Sequence, residues 1–322
     1  MNPARRSLLI VHLALLLTAI LWGGNFTALK YLLDHMKPVD VLILRVGGAA
    51  LVFGLILVVN RKQNRRVARP DLVKFLLLGL LGISIMNIAF VFGQDMIPAT
   101  LASLVVTSNP IWTAIISRFI GSEPLTGRKV GGIALAMSGF LIVLFWGSGS
   151  GASLGGGEIK GMLLVAIGPL SWAFYTVWSK PLLRTYSPIE TAAYTTIGGA
   201  LGLLPLLLID DGLTGRMRDL NGLSWLAAFY LAALGVVLAY ILWYRGLAVL
   251  SASQTAVYIY LVPVFGLVFA WLLLDETVTR YLILGAAVIL SGVILTNTAR
   301  TAPKPTALSR QPQTTIGPER TT

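Results

Sequence analysis

Few side chains in this sequence could do chemistry, and their scarcity narrows the options. Among 322 residues there is no cysteine and there are two histidines, His12 and His35. That rules out disulfides, a thiolate nucleophile and cysteine-ligated zinc or iron–sulfur centres. No acid-rich cluster lies within the apolar runs, so convergent acid–base or metal chemistry has no obvious carriers. A G-x-x-x-x-G-K-[ST] phosphate loop is also missing, so ATP is not expected to supply energy, and no cofactor is expected.

What remains is a set of polar and aromatic residues embedded in apolar runs, where each is costly enough to need a reason. Trp22 and Asn25 are three apart, close to one helical turn, and can share a face; Trp172 and Tyr175 repeat that spacing. Asn87 and Tyr240 fall near the middle of two other runs. Asn109 precedes Pro110, whose ring removes a backbone donor and can leave a carbonyl open to ligand or water. Tyr258 stands four residues after Gln254 in a further run. These residues suit the wall of a substrate cavity. A second reading stays open for each: rings that pack between helices or lie at the interface, amides that bond helix to helix, and Pro110 as a packing kink. Arg45, about six residues into its run, needs a partner or must snorkel, and is read as structural. Glu123 and Glu276 are read as helix-end structure, and Lys30 and Lys180 as snorkelling from helix ends.

The elements that must position these residues are membrane helices. Hydrophobic residues make up 56% of the chain and charged ones 12%, about half the share that a water-solvated surface requires. The apolar blocks are about 20 residues long, enough to cross roughly 30 Å of hydrocarbon. Helices are predicted over 8–29, 39–59, 73–93, 99–120, 128–146, 160–180, 188–209, 223–247, 254–274 and 279–297. The expected fold class is therefore an all-α polytopic membrane protein of ten transmembrane helices. A Gly/Ser-rich linker at 147–159 divides an N-terminal segment (1–7) and first half (8–146) from a second half (160–297), and a Pro/Thr/Gln-rich tail (298–322) is expected to be disordered. The net charge of +12 is spread over short loops rather than one soluble face, which fits membrane topology and not nucleic acid.

The two halves repeat. Trp22, Lys30 and Pro38 match Trp172, Lys180 and Pro188, 150 positions on. From the third helix the shift becomes 153, pairing Gly82, Pro110, Glu123 and Gly139 with Gly235, Pro263, Glu276 and Gly292. Five helices per half is odd, so the halves must enter the membrane from opposite sides as inverted repeats. Most of the 25 Lys and Arg residues then fall on one side, which predicts that both termini are cytoplasmic.

Trp22-Gly23-Gly24-Asn25-Phe26, the Leu44-Arg45 pair, the Glu123-Pro124-Leu125-Thr126 helix end and its Asp275-Glu276-Thr277-Val278-Thr279 counterpart resemble the EamA-like branch of the drug/metabolite transporter superfamily. The resemblance covers nearly all of residues 10–297. It implies a bacterial inner-membrane carrier that exports amino acids or related metabolites through a central cavity. The expected function is a secondary transporter working by alternating access, with a small-molecule metabolite and the lipid bilayer as partners. An intramembrane enzyme acting on a lipid or isoprenoid, or a passive channel, are the alternatives. With no ionisable residue counted in mid-membrane, a neutral or zwitterionic substrate is expected, foremost an amino acid with a sizeable apolar side chain. Asp95 is the nearest candidate for proton coupling. Oligomeric state is not set by the sequence.

Overall fold

The computed structural model describes residues 3–62, 65–97, 102, 105–106, 108–120, 126–146, 156–207, 216–217, 220–274 and 280–298. Glu123, Glu276, the first nine residues of the expected linker and the tail from 299 lie outside the described residues. Among those described, every regular element is helical. In chain order they are α1 (Pro3–Leu33), α2 (Pro38–Val59), α3 (Arg69–Asp95), α4 (Asn109–Phe119) and α5 (Gly127–Trp146). Then follow α6 (Gly156–Ser179), α7 (Pro188–Leu207), α8 (Gly222–Val249), α9 (252–274) and α10 (Arg280–Thr298).

Among the described residues, five stretches are long and apolar enough to cross a membrane: Ser7–Leu33, Pro38–Val59, Arg69–Asp95, Lys160–Arg184 and Gly222–Val249. Their outward faces are greasy as well as their inner ones. Leu51 is 77% exposed and Val59 72%, a surface that water would penalise and lipid accepts.

Several helices extend beyond the predicted runs. α1 starts at Pro3 rather than residue 8, α3 at Arg69 rather than 73, and α6 at Gly156, inside the expected linker. Hydropathy marks the membrane-crossing part, whereas a helix continues into the polar layer until capping or proline stops it. The start of α9 shows such a cap: Ser251 and Gln254 close a reciprocal capping box, so Gln254 holds a helix end rather than a cavity wall.

Among the described residues, three helices contain a widened π-helical turn: Ile43–Gly47 in α2, Leu80–Ile85 in α3 and Tyr230–Leu238 in α8. A shift of 153 carries the α3 turn onto 233–238 of α8. Such turns change the backbone hydrogen-bond register, leave carbonyls unclaimed and re-aim side chains. Nothing in the hydrophobic pattern announces them.

Packing follows the repeat. α1 packs on α8 and α9, and α6 on α3 and α4; α2 meets α8, and α7 meets α3; α2 and α7 meet each other, as do α5 and α10. Exchanging each helix with the one five places along leaves this set of contacts unchanged. The detail is finer still. A β-carbon at Gly82 would collide with the Tyr175 ring, and one at Gly235 would collide with Asn25, so two matched glycines seat two matched side chains.

Two polar clasps tie the halves at opposite ends of the α2–α7 pair. Near the start of α2, the buried carboxylate of Asp40 accepts from Arg216 Nε and Nη2 at 2.6 and 2.7 Å, beyond the end of α7. Near the start of α7, Glu190 accepts from the backbone N–H of Arg65 at 2.6 Å, beyond the end of α2, and from that of Ser187 at 2.7 Å. Asp40 and Glu190 are 150 positions apart, each two residues after a matched proline. The arrangement requires α2 and α7 to run antiparallel.

Candidate functional site

The middle of the bundle is built on aromatic rings. Trp22 of α1 meets Trp172 of α6 edge-on at 5.5 Å, and Trp243 and Tyr240 of α8 at 5.1 and 6.2 Å. Trp172 also packs on Tyr240 at 5.1 Å. The Trp22 indole N–H donates to the Gly235 carbonyl at 3.0 Å, which lies within the widened turn of α8. Trp172 has no such partner for its own indole N–H.

Beside this cluster lies a cavity, concave and mostly apolar with a few polar groups, as small-molecule sites are. Its lining comes from α1, α2, α3, α4, α6, α8 and α9. Trp22, Phe26, Met86, Phe90, Trp172 and Tyr240 supply apolar and aromatic surface; Asn25, Arg45 and Asn109 supply an amide, a guanidinium and a second amide. Both halves contribute.

The polar members differ in how far they are satisfied. Asn109 donates from Nδ2 to the Pro169 carbonyl at 2.7 Å and accepts at Oδ1 from the Thr113 hydroxyl at 3.3 Å, tying α4 to α6. Asn25 is 4% exposed and its Oδ1 has no hydrogen-bond partner. Arg45 is 5% exposed, and its Nε and Nη1 have no acceptor; the guanidinium carbon sits 5.8 Å from the Phe90 ring centroid. This corrects the expectation of a cavity without ionisable groups. Arg45 does not snorkel, because the widened turn at Ile43–Gly47 and the packing of α2 on α8 aim it inward. Among the described residues, no acidic side chain lines the cavity.

Of the eight residues singled out from the sequence, Trp22, Asn25, Asn109, Trp172 and Tyr240 line this one cavity. Asn87, Tyr175 and Tyr258 do not. Asn87 is fully buried and donates to the Ile83 carbonyl of its own helix at 2.8 Å. Tyr175 is fully buried behind Trp172 and shares a 2.9 Å hydrogen bond with the Thr195 hydroxyl. Tyr258 pairs with His12 Nδ1 of α1 at 2.5 Å, a helix–helix contact. Lys180 also departs from expectation: its ammonium donates to the Leu247 and Leu250 carbonyls and caps the end of α8. Asp95 is exposed at the end of α3. Phe90 and Arg45 were not read as site residues. For Arg45, the available signal was its repeat-matched position, which holds Thr195 and no charge.

The model of the EamA-like transporter family matches the chain twice, over residues 9–145 and 159–298. A Salmonella typhimurium protein named "Probable amino-acid metabolite efflux pump" is 32% identical over 295 residues, covering 87% of this chain and 92% of its own. A Streptantibioticus cattleyicolor protein named "Probable terminal-alkyne amino-acid exporter" is 26% identical, covering 88% of this chain and 92% of its own. A solved crystal structure superimposes with a TM-score of 0.71 at 20% identity, covering 90% of this chain and 96% of that one, which establishes likeness of fold.

Proposed function

The chain belongs to the EamA-like transporter family, and from that premise we propose that it is a secondary transporter exporting a small amphipathic metabolite, foremost an amino acid, by alternating access. It is a multi-pass membrane protein, and members of its family and its named relatives are transporters rather than enzymes. The proposed architecture is ten transmembrane helices in two inverted five-helix repeats, placed in a bacterial inner membrane with both termini cytoplasmic. Two family matches in tandem, the exchange-invariant helix contacts and the antiparallel α2–α7 pair support inversion.

The observation that carries the reading is a cavity between the halves, with aromatic walls and a few polar groups, lined by Trp22 and Trp172 from matched positions. Inverted repeats supply the mechanism: each half can adopt the conformation of the other, so exchanging the two conformations moves the opening from one face to the other. The Asp40–Arg216 and Glu190–Arg65 contacts stand at opposite ends of α2–α7, where alternating halves would part. The names of the relatives support an amino-acid-like cargo and outward direction.

The test is transport in proteoliposomes with a panel of labelled amino acids, with and without a pH gradient. Counterflow, in which unlabelled cargo trapped inside drives transient accumulation of label, is expected of a carrier. A flux that dissipates label without counterflow would support the passive channel instead. Flux indifferent to every amino acid would sink the cargo assignment.

A further inference from the structure

Arg45 is the charged group whose placement the transporter reading leaves unused. Its guanidinium lies inside the helix bundle, 5% exposed, with Nε and Nη1 lacking any acceptor, and it faces the cavity. A guanidinium stays protonated in proteins, so burial cannot be relieved by neutralisation. An unpaired charge at such a site is costly and needs an anion or water. Among the described residues the cavity wall offers no carboxylate, so the counter-charge must come from what enters.

Resting on the transporter reading, we infer that Arg45 is the carboxylate-binding residue of the cavity, and that the cargo is a monocarboxylate with an apolar substituent, bound with its carboxylate on Arg45 and its substituent against Trp172 and Tyr240. The fork of guanidinium donors matches a carboxylate in two-point geometry. The repeat gives an independent argument. At the matched site in the second half, Thr195 replaces Arg45 and Tyr175 replaces Asn25, and these two bond to each other. That copy satisfies itself, whereas in the first half Nε and Nη1 of Arg45 and the Oδ1 of Asn25 are left without hydrogen-bond partners. Asn25 Oδ1 is an acceptor suited to an ammonium group, but a neutral amide gains less from that contact than a guanidinium gains from a carboxylate. Losing the carboxylate therefore costs more than losing the amine.

The experiment compares three probes on the purified protein: L-phenylalanine, L-phenylalaninamide and 3-phenylpropionate. Binding is read by tryptophan fluorescence and by the shift in melting temperature. Parent protein is expected to bind phenylalanine tightest, 3-phenylpropionate next, and the amide weakest by roughly tenfold to a hundredfold, the range of one charge-assisted hydrogen bond. Arg45→Gln should erase the preference for acid over amide, and Arg45→Lys should keep part of it. Should Arg45→Gln fail to fold, the acid-to-amide ratio in the parent protein still decides. Equal binding of acid and amide by the parent, an unchanged ratio in Arg45→Gln, or no binding of either acid up to its solubility limit would overturn the inference. Counterflow of phenylalanine separates the two readings. Carboxylate-dependent binding without counterflow defeats transport and leaves Arg45 assigned; counterflow indifferent to Arg45→Gln does the reverse.

Discussion

Trp172 is 6% exposed and touches Trp22, Tyr175, Tyr240 and Trp243, while Trp225 is 44% exposed on the outer surface. Replacing each by alanine removes the same atoms from very different surroundings. At equal membrane abundance, Trp172→Ala should reduce initial transport at least tenfold, because an apolar substituent loses its wall, while Trp225→Ala should stay within about twofold of the parent. Truncation at Trp172 also leaves a hole costing about 3–5 kcal/mol, so Trp172→Phe serves as the milder test, with intermediate transport expected. A Trp172→Ala protein that transports like the parent would move the site elsewhere. Of the five cavity residues legible in the sequence, Trp22, Asn25, Trp172 and Tyr240 stood out by polarity or ring at matched positions, and Asn109 by standing before Pro110. Tyr175 was misplaced because the repeat implies equivalent roles, yet Thr195 takes up its hydroxyl. Arg45 was read as structural, because an arginine about six residues into a helix ordinarily snorkels or pairs; which way it faces depends on the neighbouring helices that bury it.

At the scale of elements, the apolar blocks made helix existence readable, whereas the widened turns and the pairs of helices that touch were not. Period and hydropathy are one-dimensional signals, while which helix meets which depends on shape across the interface. Gly235 illustrates the point. On the sequence it is one of 33 glycines; in the structure a side chain there would strike Asn25, and Gly54 by contrast has open space around it. Gly235→Ala should therefore separate α8 from α1 and cost about 1–3 kcal/mol, seen as a lower melting temperature of the purified protein. Gly54→Ala should be neutral or raise stability by up to about 1 kcal/mol, since alanine restricts the unfolded backbone. Equal melting temperatures for the two variants would contradict the contact. The same α1–α8 seam carries the Trp22 hydrogen bond to Gly235, so Gly235→Ala should also disturb the intrinsic fluorescence.

For the whole molecule, the proposed topology places Lys62 and Gly222 on opposite faces, and both are exposed in a chain without cysteine. Lys62→Cys and Gly222→Cys should react with an impermeant maleimide from the cytoplasmic and outer sides respectively; labelling from the same side would reject the orientation. The clasp at Asp40 gives a stability test. Asp40 is fully buried, so Arg216→Ala strands its carboxylate and should cost roughly 3–5 kcal/mol, more than Asp40→Asn with Arg216→Gln together. A single variant as stable as the double would show that the pair is not coupled. The exchange-invariant contacts have one more consequence, and it concerns the ribosome. α1 has its main partners in α8 and α9, so the docking site of Asn25 on Gly235 is made about 210 residues after Asn25 itself. At about 5–20 residues per second, the first half waits roughly 10–40 s in the bilayer with Asn25 and Arg45 lacking the helices that will enclose them. Nascent chains paused before α8 should accordingly be held by an insertase or cleared by membrane proteolysis, and the time spent half-made becomes a hazard that the finished transporter no longer carries.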